Sequence, residues 1–78
     1  MAGPFHGKAY RYMTPKDGEK FIGVCAIANG LWQVCWVDEC SRRHPIKSKG
    51  LPVMTKPETL QGCLDQWAAL HKLEELKP

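Results

Sequence analysis

Residues 21–39 read FIGVCAIANGLWQVCWVDE. Two runs rich in β-branched and aromatic residues flank Asn29-Gly30, the dipeptide that most readily supplies the positive φ angles of a tight hairpin turn. The stretch predicts a β-hairpin, and its register decides which side chains share a face, because one residue of slip exchanges inside for outside. Two registers are open. A two-residue turn puts Phe21, Cys25, Ile27, Trp32, Val34 and Trp36 on one face, with Ile22, Val24, Ala26, Leu31, Gln33, Cys35 and Val37 on the other. A three-residue loop with Gly30 in the left-handed position instead groups Ile22, Val24 and Ala26 with the two tryptophans. In both, each face is largely apolar, whereas an antiparallel sheet with one face in water alternates cleanly. Something besides water is expected over the second face.

Outward from the hairpin, residues 1–7 are small and Gly/Pro-bearing and are expected to be flexible. Lys8 to Met13, KAYRYM, alternates like a short edge strand, and Pro15 to Gly18 reads as a turn. Beyond the hairpin, DECSRRHP over residues 38–45 is a polar connection. Ile46 to Met54 can return as a third strand, at an edge because Gly50 and Pro52 interrupt it. Thr55 and Glu58 form a capping-box pattern with Pro57 in the first turn, and Leu60, Cys63, Leu64, Trp67 and Leu70 or His71 recur at helical spacing. An amphipathic helix is expected over 55–76, with Gly62 marking close approach to the sheet. The expected fold is α+β: a three-stranded antiparallel sheet within residues 8–54 and one C-terminal helix packed on one face, in the order β-β-β-α. It makes a single small domain of residues 1–78.

Charged residues form 24 % of the chain and hydrophobic ones 44 %, a balance that suits a folded soluble domain and is too apolar for a disordered one. No run approaches the roughly 18 apolar residues of a membrane-spanning helix, and MAGPFHGKAY lacks the apolar core of a secretory signal. A cytoplasmic protein is expected. Cys25, Cys35, Cys40 and Cys63 then read as thiols rather than a disulfide framework, with Cys40 the most exposed. Cys35, Cys40, His44 and Cys63 lack the close ligand pairs of a structural zinc site, so no metal or other cofactor is expected. His6, His44 and His71 have no context that pairs them with a nucleophile. Asp38 and Glu39 beside Arg42 and Arg43 read as surface ion pairs rather than an acid/base couple, and no Gly-rich phosphate loop follows a strand. No catalytic role is expected. Trp67 and at least one of Trp32 and Trp36 are expected in the core.

The formal charge is +3, and it is unevenly spread. Arg42, Arg43, Lys47 and Lys49, with His44 among them, form a basic stretch without an acid, which attracts phosphate even when the net charge is modest.

Phe21-Ile22-Gly23-Val24, Gly30-Leu31-Trp32 and Thr55-Lys56-Pro57-Glu58 fall in the order of an aromatic-x-Gly-Val, a Gly-Lys-aromatic and a Thr-x-x-Glu. On these motifs residues 20–70 resemble the AP2-like DNA-binding domains, including the N-terminal arm-type domain of tyrosine integrases. The resemblance implies a three-stranded sheet laid in the major groove of duplex DNA, whose width admits such a ribbon. Where that family carries arginines on the sheet, this chain has Cys25, Ile27, Cys35 and Val37, so base readout would be poor. Gln33 is left as a base-edge candidate, with Arg11, Lys20, Arg42, Arg43, Lys47 and Lys49 as backbone contacts, which position a protein without specifying sequence. The expected function is therefore a small non-enzymatic DNA-binding domain. The alternative is a protein-binding module or homodimer acting through an apolar free sheet face of Ile22, Val24, Leu31, Cys35 and Val37. In that case it would look like the small inhibitors and accessory proteins of phages and mobile elements, anti-CRISPR proteins included.

Overall fold

The computed structural model describes residues 5–76. It is a small α+β domain: an antiparallel sheet with a single C-terminal helix laid on it. The strands are β1 (Tyr10–Thr14), β2 (Gly18–Ala28), β3 (Leu31–Val37), β4 (Arg43–Pro45) and β5 (Val53–Met54), followed by α1 (Pro57–Leu70). The expected flexibility of residues 1–7 falls partly on residues 1–4, outside the described residues. Within the described part, Phe5 packs edge-on against Trp32 with ring centroids 5.6 Å apart.

The hairpin forms, and its turn and its register come from different places. Asn29 and Gly30 both have positive φ, 48° and 74°, which is the two-residue turn that Asn-Gly favours. A bulge then shifts the pairing: Ala28 faces Leu31 but Ala26 faces Trp32, leaving Ile27 as the extra residue. Ile22 therefore pairs with Trp36 and Val24 with Val34. The faces sort as the longer-loop register predicts, although the turn is the short one.

The sheet has five strands rather than the expected three. The KAYRYM segment supplies β1, closed by a turn in which the Asp17 amide donates to Thr14 Oγ1 at 3.0 Å. The expected third strand over 46–54 is not continuous. The chain turns back sooner, at 38–42, because Asp38 holds that turn and Ser41 takes φ 62°. Arg43–Pro45 can then pair with Val37–Cys35 as β4, and Val53–Met54 pairs with Gln33–Trp32 as β5. Between them residues 46–52 leave the sheet, with Gly50 at φ 84°.

The helix is shorter than the expected 55–76. Lys56 is its N-cap and makes no side-chain capping bond, so the Thr55/Glu58 box does not form, while Pro57 takes the first-turn place that needs no N–H. It ends at Leu70 because Lys72 adopts φ 55° and the Leu73 amide reaches back to the Ala68 carbonyl at 2.9 Å, the paired reversal of a Schellman end. The chain then runs back along β1: the Arg11 amide donates to the Glu74 carbonyl and the Leu76 amide to the Ala9 carbonyl, at 2.8 and 2.7 Å. That return covers an edge that would otherwise offer unpaired backbone groups.

The helix stripe is rotated from the expected one. Leu60, Gln61, Leu64 and Ala68 are buried, while Cys63 and Leu70 face outward. A Cβ on Gly62 would meet nothing within 4 Å, so that glycine marks no close approach. Tyr10, Ile22, Val24, Leu60, Leu64 and Ala68 make the core, with Trp32, Trp36 and Trp67 packed against it. Under it, Asp65 accepts the Tyr10 hydroxyl at 2.6 Å and the Gln61 amide nitrogen at 2.8 Å. Burial and this carboxylate hold the Tyr10 phenol neutral, with its pKa pushed up to about 12.

Candidate functional site

The second sheet face is closed by the chain itself. Gly23, Cys25, Cys35 and Val37 are all buried there. Arg43, alternating inward from β4, crosses beneath them and donates through Nη1 to the Val24 carbonyl and through Nη2 to the Gly7 carbonyl, the latter at 3.0 Å. A Cβ on Gly23 would lie 3.2 Å from Arg43 Nη1 and 3.1 Å from Val37 Cγ2, which is why the guanidinium needs glycine at that point. Burial, and then the neighbouring Cys25 thiol, raise the Cys35 pKa, with the Arg43 charge pulling the other way. Cys35 is thus a protonated, packed thiol.

That arrangement corrects the expected partner-binding face. Ile22 and Val24 lie beneath the helix, Cys35 and Val37 lie on the opposite face, and all four are buried; Leu31, beside the turn, is half-buried. The bulge at Ile27 separates them, and Arg43 occupies the face that was expected to be open. They do not form one free surface.

The candidate backbone contacts divide into engaged and unengaged side chains. Arg11 Nε meets Glu19 at 2.9 Å and Arg11 Nη1 meets Glu74 at 3.5 Å. Lys20 lies 5.4 Å from the Trp36 ring and 3.8 Å from Asp17. Gln33, the base-edge candidate, donates to the Ile46 carbonyl at 2.7 Å and so pins the chain where it leaves the sheet. Arg43 is turned inward as described. Arg42, Lys47 and Lys49 are exposed, and so is Lys56, which the sequence reading did not include. None of these four is in the ion pairs formed among the described residues, which take Lys8, Arg11, Lys20 and His44. Lys56 was missed because it stands seven residues beyond the 42–49 cluster, at the loop-to-helix junction, although it lies in the same acid-free run of residues 40–57.

Arg42 is carried on a firm support. Asp38 Oδ1 accepts the Cys40 and Arg42 amides at 2.9 and 2.8 Å, and Oδ2 meets His44 Nε2 at 2.8 Å. The His44 contact first, then the Arg42 amide, lower the Asp38 pKa. Residues 46–52 have a looser hold, through the Gln33 bond and a Ser48-to-Ile46 backbone bond at 3.1 Å.

Beside that loop runs an apolar groove of about 260 Å³ between α1 and the sheet. Ile22, Val34, Leu60, Leu64 and Trp67 form its walls, with Pro52 and Cys63 at the exposed rim. It exists because Val34 sits between the two short pairings on the outer edge of β3, where no strand lies alongside.

Among the described residues no three His, Cys, Asp or Glu side chains cluster as metal ligands, and no helix is long and apolar enough to cross a membrane. Cys40 and Cys63 are exposed thiols. No family model, curated protein or solved structure matches this chain.

Proposed function

We propose that the domain binds duplex DNA through phosphate contacts made by Arg42 and by the lysines of the 46–56 segment. The observation that carries this reading is the clustering of unpaired cations: of the six exposed Lys and Arg side chains outside the ion pairs of the described residues, four fall within residues 42–56, while Lys16 and Lys72 lie apart. Acids neutralise Arg11 and Lys20 on the strands, while Arg42, Lys47, Lys49 and Lys56 stand exposed without an acidic partner among the described residues. Unpaired cations are the ones that exchange counterions with a phosphate backbone at least cost. An antiparallel sheet with a helix on one face also agrees with an AP2-like arrangement. The contact differs from that family's, however. Gln33 and Arg43 are committed to internal carbonyls, so the proposal is backbone attachment with little base readout.

Counterion release gives the test. Four phosphate contacts on duplex DNA correspond to a slope of log K against log salt of about −3.6, and Lys47→Ala with Lys49→Ala should reduce its magnitude by about 2. Fluorescence anisotropy of a labelled random duplex over a salt series measures both. A flat salt dependence, or a slope that the double substitution leaves unchanged, removes the proposal.

A further inference from the structure

We infer that the groove between α1 and the 46–52 loop is a binding site for a small anionic amphiphile, a molecule with one aromatic ring or a short alkyl chain and a single carboxylate-like head. Three observations lead there. First, no charged, hydroxyl or amide side chain lines the groove, so nothing in it satisfies a polar group and its occupant must be apolar along the buried part. Second, its volume of about 260 Å³ exceeds that of the roughly 150 Å³ apolar cavity known to stay dry and take benzene. A substituted ring fits. Third, the loop whose Pro52 forms the rim also carries Lys47 and Lys49, both exposed and outside the ion pairs of the described residues. Lys49 stands three residues from Pro52 along the chain, so a negative head leaving past that rim enters the segment that carries these cations.

The groove is built into the topology. Val34 lies in the second-longest strand and faces the helix, yet remains half-buried, because β4 stops pairing at Cys35 and β5 begins only at Gln33. Gln33 spans that gap with bonds to the Ile46 carbonyl at 2.7 Å and the Val34 carbonyl at 3.4 Å. The Val34 carbonyl takes a side-chain donor where no strand pairs, and the side-chain layer above stays open. An apolar ring entering between Val34 and Trp67 would complete the core from outside.

The test is a titration of the full chain, labelled at its methyl groups, with 4-ethylbenzoate, followed by NMR. Saturable shifts concentrated on Ile22, Val34, Leu60 and Leu64 are expected. The cationic counterpart 4-ethylbenzylamine should bind about tenfold more weakly, since its head meets like charge. Cys63→Trp, on the exposed rim, should fill the entrance and abolish the shifts while leaving the spectrum of a folded protein. Shifts spread over the whole surface, shifts that Cys63→Trp leaves in place, or equal affinity for the amine would each overturn the inference. The outcome is separable from that of the DNA proposal: Cys63→Trp touches no proposed phosphate contact, so its salt-dependent DNA binding should equal that of the parent chain.

Discussion

The two faces of the β2–β3 hairpin are closed by opposite chemistry. Over one lies α1, which sets Leu60, Leu64 and Ala68 against Ile22 and Val24. Over the other lies one cation, Arg43, stretched beneath Cys35 and Val37 to two backbone carbonyls. The first closure is non-directional and scales with the apolar area removed from water. The second depends on a planar fork of donors reaching particular oxygens. A sheet this small can therefore cover both faces with a single helix, provided that one charged side chain bonds backbone carbonyls where a second helix would otherwise lie.

The largest effect should come from exchanging the faces. Deleting Gln33 moves β3 by one place against β2, which puts Cys35 and Val37 under the helix and takes Val34 and Trp36 away from it. Cooperative folding should be lost. Deleting Ile27 removes only the bulge: Ala28 still meets Leu31 and Ala26 still meets Trp32, so the register survives. Thermal unfolding followed by circular dichroism separates the two. If both deletions fold, or both fail, the bulge does not set the register.

Below that, each closure can be removed singly. Leu60→Ala should cost about 3 kcal/mol, the usual range for a cavity at a fully buried leucine. Arg43→Ala should cost about 2 kcal/mol, from two carbonyls left without their donors. Arg43→Lys separates the mechanisms, because one ammonium cannot span the Val24 and Gly7 carbonyls as the fork does. Urea unfolding of Arg43→Lys should match Arg43→Ala. Recovery of parental stability by lysine would mean that charge alone closes that face.

Much of this contrast was legible in the sequence, and the part that was not has identifiable causes. Asn29-Gly30 announced the turn, and the apolar content of both faces announced that each would be covered. The bulge was silent because Ile27 is a good strand residue, and none of the glycines that often mark a bulge stands there. Arg42 and Arg43 looked alike as neighbours in a polar connection. Once Arg43–Pro45 is a strand, alternation must send Arg43 inward, and only recognition of β4 would have shown it. The helix was read too long because Leu73 and Leu76 continue the apolar spacing, while the residue that stops it, Lys72, is not the glycine that usually does. The groove had no signature at all. It arises from the gap between β4 and β5, a matter of pairing rather than of residue type.

The smallest effect concerns how the second closure is held in place. Arg43 follows directly on the turn organised by Asp38, whose carboxylate binds the Cys40 and Arg42 amides and His44. The folded Asp38 pKa lies below the ordinary carboxylate value, so its contribution is present above that value and lost as pH falls through the lowered one. The groups bonded to Asp38 are His44 from β4 and the amides of its own turn, and Glu19 and Lys20 of β2 with Glu39 line the same pocket. Acid should therefore loosen the turn, and through it the Arg43 side, while the helix side stands. In an NMR pH titration, the Val37 methyls and the Arg43 guanidinium resonance should move below about pH 3.8, and Asp38→Asn should abolish that step. The Val24 and Leu60 methyls should stay still over the same interval. If they move with the same midpoint, the two faces are one cooperative unit, and the difference in their chemistry makes no difference to how they open.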